Sequence, residues 1–440
     1  AQGEHAITET DGWDENNTLA SLMAAAQTYR SSRRGFPMNT PVSHSPHRPL
    51  SQAQVLLLAA ATGLIVAGNY YAQPLLQILA EAFRIGADAA GWVVTVAQLA
   101  YAAGLLLIVP LGDRLERRRL IVALFVLAAV GLAISATATH FVQLLAGTAL
   151  SGLSAVAAQV IVAHAAGLAE PEHRGRVVGT IMAGLLLGIL LARTASGVLA
   201  GLGSWHTIYW VACVALLVLA VVLARLLPAH QPSASLSYPR LIGSVLALLR
   251  DEPLLRQRSV LGGLLFAGFS VFWTPLAFLL SGPAYGYSIA TIGLFGLIGA
   301  AGALAASSAG KLSDRGHGRA VAVGGLLMML LSWLLLAFAP VSLAALIVGV
   351  LLLDIAVQAV HINNQSVIYQ LDESARSRIT SAYMTCYFIG GASGSVLSTM
   401  AWTRYGWNGV CALGGVFAVI GLLVYFMPVR KQATKNVGAA

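Results

Sequence analysis

The chain has 440 residues, 58% of them hydrophobic and 10% charged, with a net charge of +9; an average soluble domain is roughly 45–50% apolar and 25% charged. Only 26 basic and 17 acidic side chains are available to cover a chain of this size, which excludes a soluble globular fold and makes lipid the solvent for most of the sequence. The excess of basic residues would point to nucleic acid only if it gathered on one solvated face.

Residues 1–50 are polar, rich in Ser, Pro and His, and contain no apolar run long enough to span a bilayer, so a disordered cytoplasmic tail is expected there. The stretch is no signal peptide, because Arg30, Arg33 and Arg34 lead into proline and serine instead of an apolar core. Met38 stands just before the first hydrophobic run, and the expectation is that the native chain starts there, with residues 1–37 foreign to it.

From residue 53 apolar stretches follow one another, each long enough to cross about 30 Å of hydrocarbon as a helix. They span 53–79, 90–111, 120–138, 142–168, 177–200, 206–224, 259–281, 289–310, 320–339, 342–368, 379–402 and 408–427. Continuous runs without a two-residue alternation predict helices and not a barrel. With the N-terminus in the cytoplasm, 23 of the 26 Lys and Arg fall in cytoplasmic segments; Arg84 and Arg404 lie outside, and Arg193 lies within the fifth span. The net charge is therefore a topology signal that puts both termini in the cytoplasm, and nucleic acid is not needed to explain it.

The two halves repeat at a fixed offset. Pro74, Asp113, Arg114 and Arg118 match Pro275, Asp314, Arg315 and Arg319, 201 residues on; Arg174, Arg176 and Gly188 match Arg376, Arg378 and Gly390, 202 on. The fold expected is an all-α membrane protein of twelve transmembrane helices in two six-helix pseudo-symmetric halves, 51–224 and 259–428, with a cytoplasmic tail over 429–440. Residues 225–258 form the polar linker between the halves, and within it Leu241 to Leu249 suit a short amphipathic helix on the inner membrane surface. Cys213, Cys386 and Cys411 are far apart in apolar runs and read as core residues, giving neither disulfide framework nor metal site.

Between the second and third spans the chain reads Val109-Pro110-Leu111-Gly112-Asp113-Arg114, then Arg117, Arg118 and Arg119; between the eighth and ninth it reads Gly310-Lys311-Leu312-Ser313-Asp314-Arg315, then Arg319. In these two segments, and in the twelve-span repeat that holds them, the sequence resembles the major facilitator superfamily over residues 50–430. The resemblance implies a cytoplasmic latch between the halves, carried to Asp113, Arg114, Arg118, Asp314, Arg315 and Arg319. Such a turn suits an Asp that accepts hydrogen bonds from nearby Arg and from a facing helix N-terminus. Arg117 and Arg119 are read as topology signals alone.

Gly179, Gly188 and Gly197 of the fifth span sit where drug/proton antiporters of the superfamily carry a glycine-rich motif, although Ala192-Arg193 replaces that motif's Gly-Pro and Ser196 a later glycine. Gly184, Gly188, Ala192 and Ser196 form one small-residue stripe, which close helix packing explains. In the fourth span Thr148 precedes Gly152 where such antiporters place an arginine, so the intramembrane arginine has moved to Arg193.

Asp354 is the one acidic residue deep in a span, and mid-bilayer charge costs roughly 2.5–3.5 kcal/mol on the lenient insertion scale. With Gln358, His361 and Gln365 it lines one face of the tenth span. A carboxyl whose surroundings alternate can load and release a proton, so Asp354 and Arg193 are the candidate proton-coupling residues; a structural Asp satisfied by neighbouring helices is the alternative. At 1.5 Å per residue Arg193 lies about 11 Å and Asp354 about 18 Å from the outer ends of their spans. They either meet across the halves, directly or through water, or have separate partners. Candidate substrate-cavity residues are Asn69, Tyr70, Tyr71 and Gln73, which interrupt the first span beside Pro74, with Gln98, Tyr101, Gln358, His361, Gln365, Phe272 and Trp273. Gln159 is a weaker candidate, and His164 reads as structural.

No enzyme motif is present, and Ala309-Gly310-Lys311-Leu312 is no phosphate loop. The function expected is a secondary active transporter of the bacterial inner membrane, a monomer that needs no cofactor or metal and exports small amphipathic molecules, drugs or metabolites, against protons. An importer or uncoupled uniporter of the same fold is the alternative, and a receptor without transport a remoter one.

Overall fold

The computed structural model describes residues 50–170, 172–228, 237–305, 312–372 and 375–429, without the side chains of 113, 300–305 and 314. The tail over 1–49, Met38, Gly310, Lys311, most of the tail over 429–440 and the Asp113 and Asp314 side chains thus lie outside the described residues.

Every regular element among the described residues is helical. The first is α1, Gln52–Ala67. It starts at a capping box, with the Ser51 hydroxyl accepting from the Gln54 amide (3.2 Å) and the Gln54 side chain from the Ser51 amide (2.9 Å), so the chain enters the bundle with its first donors satisfied. At Pro74, which has no N–H to continue the ladder, α1 gives way to a turn over 68–72 and a 3-10 segment, Gln73–Leu75, before α2, Leu76–Phe83, resumes. The same interruption recurs at Pro275 between α10, Pro253–Trp273, and α11, Leu276–Ser281.

Between these breaks run α3 (Trp92–Leu107), α4 (Arg117–Ala136), α5 (Phe141–Ser154), α6 (Ala157–Leu168), α7 (Arg174–Leu202), α8 (His206–Leu226) and α9 (Tyr238–Asp251). After them come α12 (Ile289–Ala305), α13 (Gly318–Leu336), α14 (Leu343–Ile368) and α15 (Arg376–Phe426). Nine helices among the described residues are long and apolar enough to cross a membrane, and Gln52–Ala67 and Ile289–Gly299 are shorter apolar helices. Their outward faces are apolar: Val211, Val214, Val218 and Val221 of α8 and Leu327, Leu331 and Leu334 of α13 are exposed, as a lipid-facing surface requires.

The 51 residues of α15 are two helices, because Gly406 takes φ 60° and ψ −153°. Trp407 then donates to the Leu336 carbonyl at the end of α13, while Gln257 at the start of α10 donates to the carbonyls of Val424 and Met427, so the chain reverses direction at Gly406. The expected amphipathic helix of the linker is α9. It buries Leu241 and Val245, packs on α10 and α15, and donates from the Tyr238 hydroxyl to the Leu107 carbonyl at the end of α3 (2.5 Å).

Close helix contacts depend on glycine at matching places. A methyl on Gly188 of α7 would fall on the Gly63 carbonyl of α1, and one on Gly184 on the Ala59 carbonyl. A methyl on Gly390 of α15 would likewise fall on the Gly263 carbonyl of α10, and one on Gly394 on the Ala267 carbonyl. The small-residue stripe of the fifth span therefore serves backbone-to-backbone packing, and the Ser196 hydroxyl extends it by donating to the Tyr71 carbonyl (2.7 Å).

Gly188→Ala is expected to destabilise the protein by about 1–3 kcal/mol. Gly179→Ala should be neutral or slightly stabilising, since nothing stands within 4 Å of the added methyl. Thermal unfolding of both variants in detergent checks this, and equal losses would contradict the packing described.

Candidate functional site

The irregular backbone around Pro74 puts polar side chains where a continuous helix would have presented an apolar face. Gln73 accepts from Arg193 Nε of α7 at 2.6 Å, and the Ile189 carbonyl one turn back accepts from Arg193 Nη1 at 3.3 Å. The guanidinium also lies among three aromatic rings, 4.3 Å from the Trp273 centroid, 4.9 Å from Tyr70 and 5.6 Å from Phe269. Away from water such contacts are worth about 2 kcal/mol each, and together they house a cation that is 2% exposed.

Asp354 of α14 is 3% exposed, and its Oδ1 accepts from Trp273 Nε1 at 3.3 Å. Its Oδ2 lies against Gly299 of α12, at a place a Cβ would fill. No direct bond joins Asp354 to Arg193. The indole of Trp273 connects them, with the guanidinium over its ring and the carboxylate on its N–H, so the two buried charges share one partner. Beside them Gln73, Pro74, Arg193, Trp273, Leu276 and Ile292 surround a cavity of about 10 Å³, at the threshold for one water molecule.

The other expected cavity residues divide. Gln98 of α3 donates to the Ser270 hydroxyl of α10 at 3.2 Å, and Tyr101 accepts from Gln159 at 3.4 Å while its ring packs 4.3 Å from Phe388. His361 Nδ1 lies 3.0 Å from the Tyr383 hydroxyl with its ring 4.6 Å from Tyr387, and Gln358 and Gln365 are half-buried on the same face of α14. Asn69 is buried, with neither amide atom meeting a protein partner. Tyr71 turns instead toward Tyr209 of α8, and Phe272 toward Trp407 of α15, so both are packing residues of the surrounding bundle. His164 is fully buried in α6.

Sequence reasoning did not single out Phe266, Phe269, Tyr387 and Phe388. Phe266 stacks on Tyr387 at 4.3 Å and on Phe269 at 5.4 Å, so these rings continue the wall that begins at Trp273. The signal was the spacing of Phe266, Phe269 and Trp273, three and then four residues apart on one helix face.

The family model for the Major Facilitator Superfamily matches residues 58–395 and, in an overlapping match, 309–440. The chain belongs to the major facilitator superfamily. It is similar to the "Uncharacterized transporter YgaY" of Escherichia coli O157:H7, 52% identical over 391 residues that cover 89% of this chain and 99% of the relative. It is also similar to the "Probable transporter SCO4007" of Streptomyces coelicolor, 32% identical over 87% of this chain and 89% of the relative. Among solved structures, a bacterial homologue of the human lysosomal transporter Spinster, inward-facing and unoccupied, superposes with a TM-score of 0.69 at 17% identity over 87% of this chain and 97% of that one. A point mutant of the nucleoside transporter NupG gives a TM-score of 0.65 at 14% identity over 84% and 97%. At such identities the likeness concerns the fold alone. The chain is a multi-pass membrane transporter, with relatives and a fold that are those of transporters and not of enzymes.

In this superfamily member two arginines of the basic turn after α3 bond backbone carbonyls. Arg117 donates to the carbonyls of Gly112 (2.9 Å) and Ala163 of α6 (3.1 Å), more than a topology signal requires. Arg118 donates to the Ala224 carbonyl at the end of α8. Arg119, 90% exposed, lies 3.4 Å from Glu116. Arg114 and Arg315 are exposed, and Arg319 borders a second cavity of about 500 Å³ with Arg258, Asn363 and Tyr425.

Coupling of Arg193 to Asp354 through Trp273 predicts non-additive losses. Arg193→Met is expected to cost about 3–5 kcal/mol, because it leaves a buried carboxylate without its counter-charge. Adding Asp354→Asn should return about 0.5–3 kcal/mol of that. A double-mutant cycle by chemical unfolding in mixed micelles measures the difference, and simple additivity would show the two charges to be independent.

Proposed function

We propose that this transporter works by alternating access, with two six-helix halves, 51–224 and 259–428, rocking about the site at Arg193, Trp273 and Asp354 while residues 225–258 join them. Twelve spans are reached when α1 with α2, α12, and the two parts of α15 are counted as separate crossings. The matching breaks at Pro74 and Pro275, and the matching contacts of Gly188 on Gly63 and Gly390 on Gly263, support the repeat. The positive-inside rule supports a bacterial inner-membrane protein with both termini and the arginine-rich end in the cytoplasm.

The observation that carries the reading is the link from Arg193 through Trp273 to Asp354. It joins the two repeats at a depth where an isolated charge is costly, so any movement that separates α7 from α14 must hand each charge a new partner. A proton is the simplest new partner for a carboxylate. Next to Arg193, on the side away from the arginine-rich turns, Thr194 donates to the Gly293 carbonyl of α12 at 3.0 Å, and Gly197 meets Gly293 backbone to backbone. That contact would close the site outward and open in the other half of the cycle. The aromatic wall from Tyr70 to Tyr387 suits small amphipathic molecules, drugs or metabolites, carried by a monomer.

Export in exchange for protons is the reading that the glycine-rich fifth span favours. Import is the second reading, favoured by two donors that no protein acceptor meets, Gln73 Nε2 and Arg193 Nη2: an anion beside Arg193 and a proton on Asp354 would bind together instead of competing.

Proteoliposomes with an imposed pH gradient test the coupling. Gradient-driven movement of a bound solute is expected to fall about tenfold or more in Asp354→Asn, with gradient-free exchange retained. Unchanged gradient-driven transport in Asp354→Asn removes Asp354 from the coupling, and binding without flux in the wild type makes the chain a receptor.

A further inference from the structure

Two residues that line one cavity inside the bundle each carry a buried donor that no protein acceptor meets. Gln73 and Arg193 are each 2% exposed, and both line the small cavity between α7, the broken first span and α10. Gln73 Oε1 is taken by Arg193 Nε, and Arg193 Nη1 is taken by the Ile189 carbonyl. Gln73 Nε2 and Arg193 Nη2 are left without a protein acceptor. Leaving a buried donor unmet is destabilising, more so when the donor is charged, and such a loss persists where something else completes the bond.

The rest of the cavity wall is apolar, formed by Pro74, Trp273, Leu276, Ala277 and Ile292. One positive charge and two N–H groups therefore face a site whose other sides offer only carbon and an aromatic face. A carboxylate matches that set: it carries one negative charge, its two oxygens can accept from two neighbouring donors, and its hydrocarbon body can lie on the apolar wall. A dianion fits badly, because a single cation would have to balance it with the Asp354 carboxylate already at the N–H edge of the Trp273 ring. An amine fits worse, since it brings donors to donors.

We propose that the unmet donors of Gln73 and Arg193 are the anchor for the carboxylate of an amphipathic organic anion, whose apolar part rests against Trp273, Leu276 and Ile292. The inference rests on the transporter reading above and names the chemical class of its substrate. The cavity holds little more than a water molecule as it stands, so the anion enters while the halves are parted and the cavity is wider.

Gln73→Glu supplies the acceptor from within the chain. Its carboxylate keeps the bond from Arg193 Nε, removes one unmet donor, and occupies the charge that the substrate would use. This variant is expected to unfold at a higher temperature than the wild type without ligand, and to bind carboxylates at least about tenfold more weakly. Loss of binding through misfolding would instead lower the unfolding temperature, so the two effects have opposite signs. Arg193→Lys, which keeps the charge and loses the planar fork, should also weaken carboxylate binding.

The experiment uses full-length protein in lipid nanodiscs, with binding followed by calorimetry and thermal shift. The probes are matched sets, phenylacetate, phenylacetamide and phenethylamine, then octanoate, octanamide and octylamine, with acetate and chloride as controls. Binding by the carboxylate members, weakened in Gln73→Glu and Arg193→Lys, supports the proposal. Amides or amines that bind as well as their carboxylates, acetate or chloride that bind as tightly as the larger anions, a set with no carboxylate ligand, or Gln73→Glu with undiminished carboxylate affinity would each overturn it. Flux of the bound carboxylate in proteoliposomes is scored separately. Binding without flux counts against the transporter reading while leaving the anchor in place, and flux confined to amines or neutral solutes counts against the anchor while leaving the transporter.

Discussion

A guanidinium held inside the bundle is the constraint on which the central architecture depends. Water solvates a cation far better than hydrocarbon does, so Arg193 can remain 2% exposed only where other groups replace the lost hydration. The first span breaks at Pro74 and thereby offers Gln73 and Tyr70, which an unbroken helix would have turned elsewhere. The seventh span breaks at Pro275 just after Trp273, whose ring takes the cation on its face while its N–H takes the Asp354 carboxylate. The two interruptions, repeated at equivalent places in the sequence, are thus two sides of one housing.

The helix contacts around that housing are of two kinds. Gly188 on Gly63 and Gly390 on Gly263 bring backbones together with no side chain between them, and such contacts tolerate little sliding because there is nothing flexible to absorb it. Contacts across α3 with α10 and α15 are made by side chains instead, Gln98 with Ser270, Tyr101 with Phe388, and the Ser381 hydroxyl with the Leu105 carbonyl. Rotamer changes can remake these at modest cost. Gly197 of α7 against Gly293 of α12 is a contact of the first kind.

The long apolar helices were legible because a lipid-facing helix must be apolar along its length, and Arg193 and Asp354 because a charge in such a run has no disguise. Their common partner was less legible. Trp273 drew attention for its place beside Pro275, but aromatic residues in an apolar span carry no contrast, so Phe266, Phe269, Tyr387 and Phe388 did not stand out. Tyr70 and Tyr71 differ by one position and face opposite ways, one under Arg193 and the other against Tyr209. Where the backbone leaves the helical period, spacing no longer assigns a face. Arg117 was read as a topology charge, and the carbonyls of Gly112 and Ala163, brought near by the turn, give it a structural place.

The reversal at Gly406 spans a single residue, and the connections 84–91, 137–140, 203–205, 282–288 and 337–342 are also short. The end they form is cropped almost to the helix tips. It offers no protruding loop for an antibody to grip or a protease to cut, and no natural place to insert a tag or a reporter domain. Handles for labelling, capture or cleavage are better placed at the arginine-rich end, on the polar face of α9.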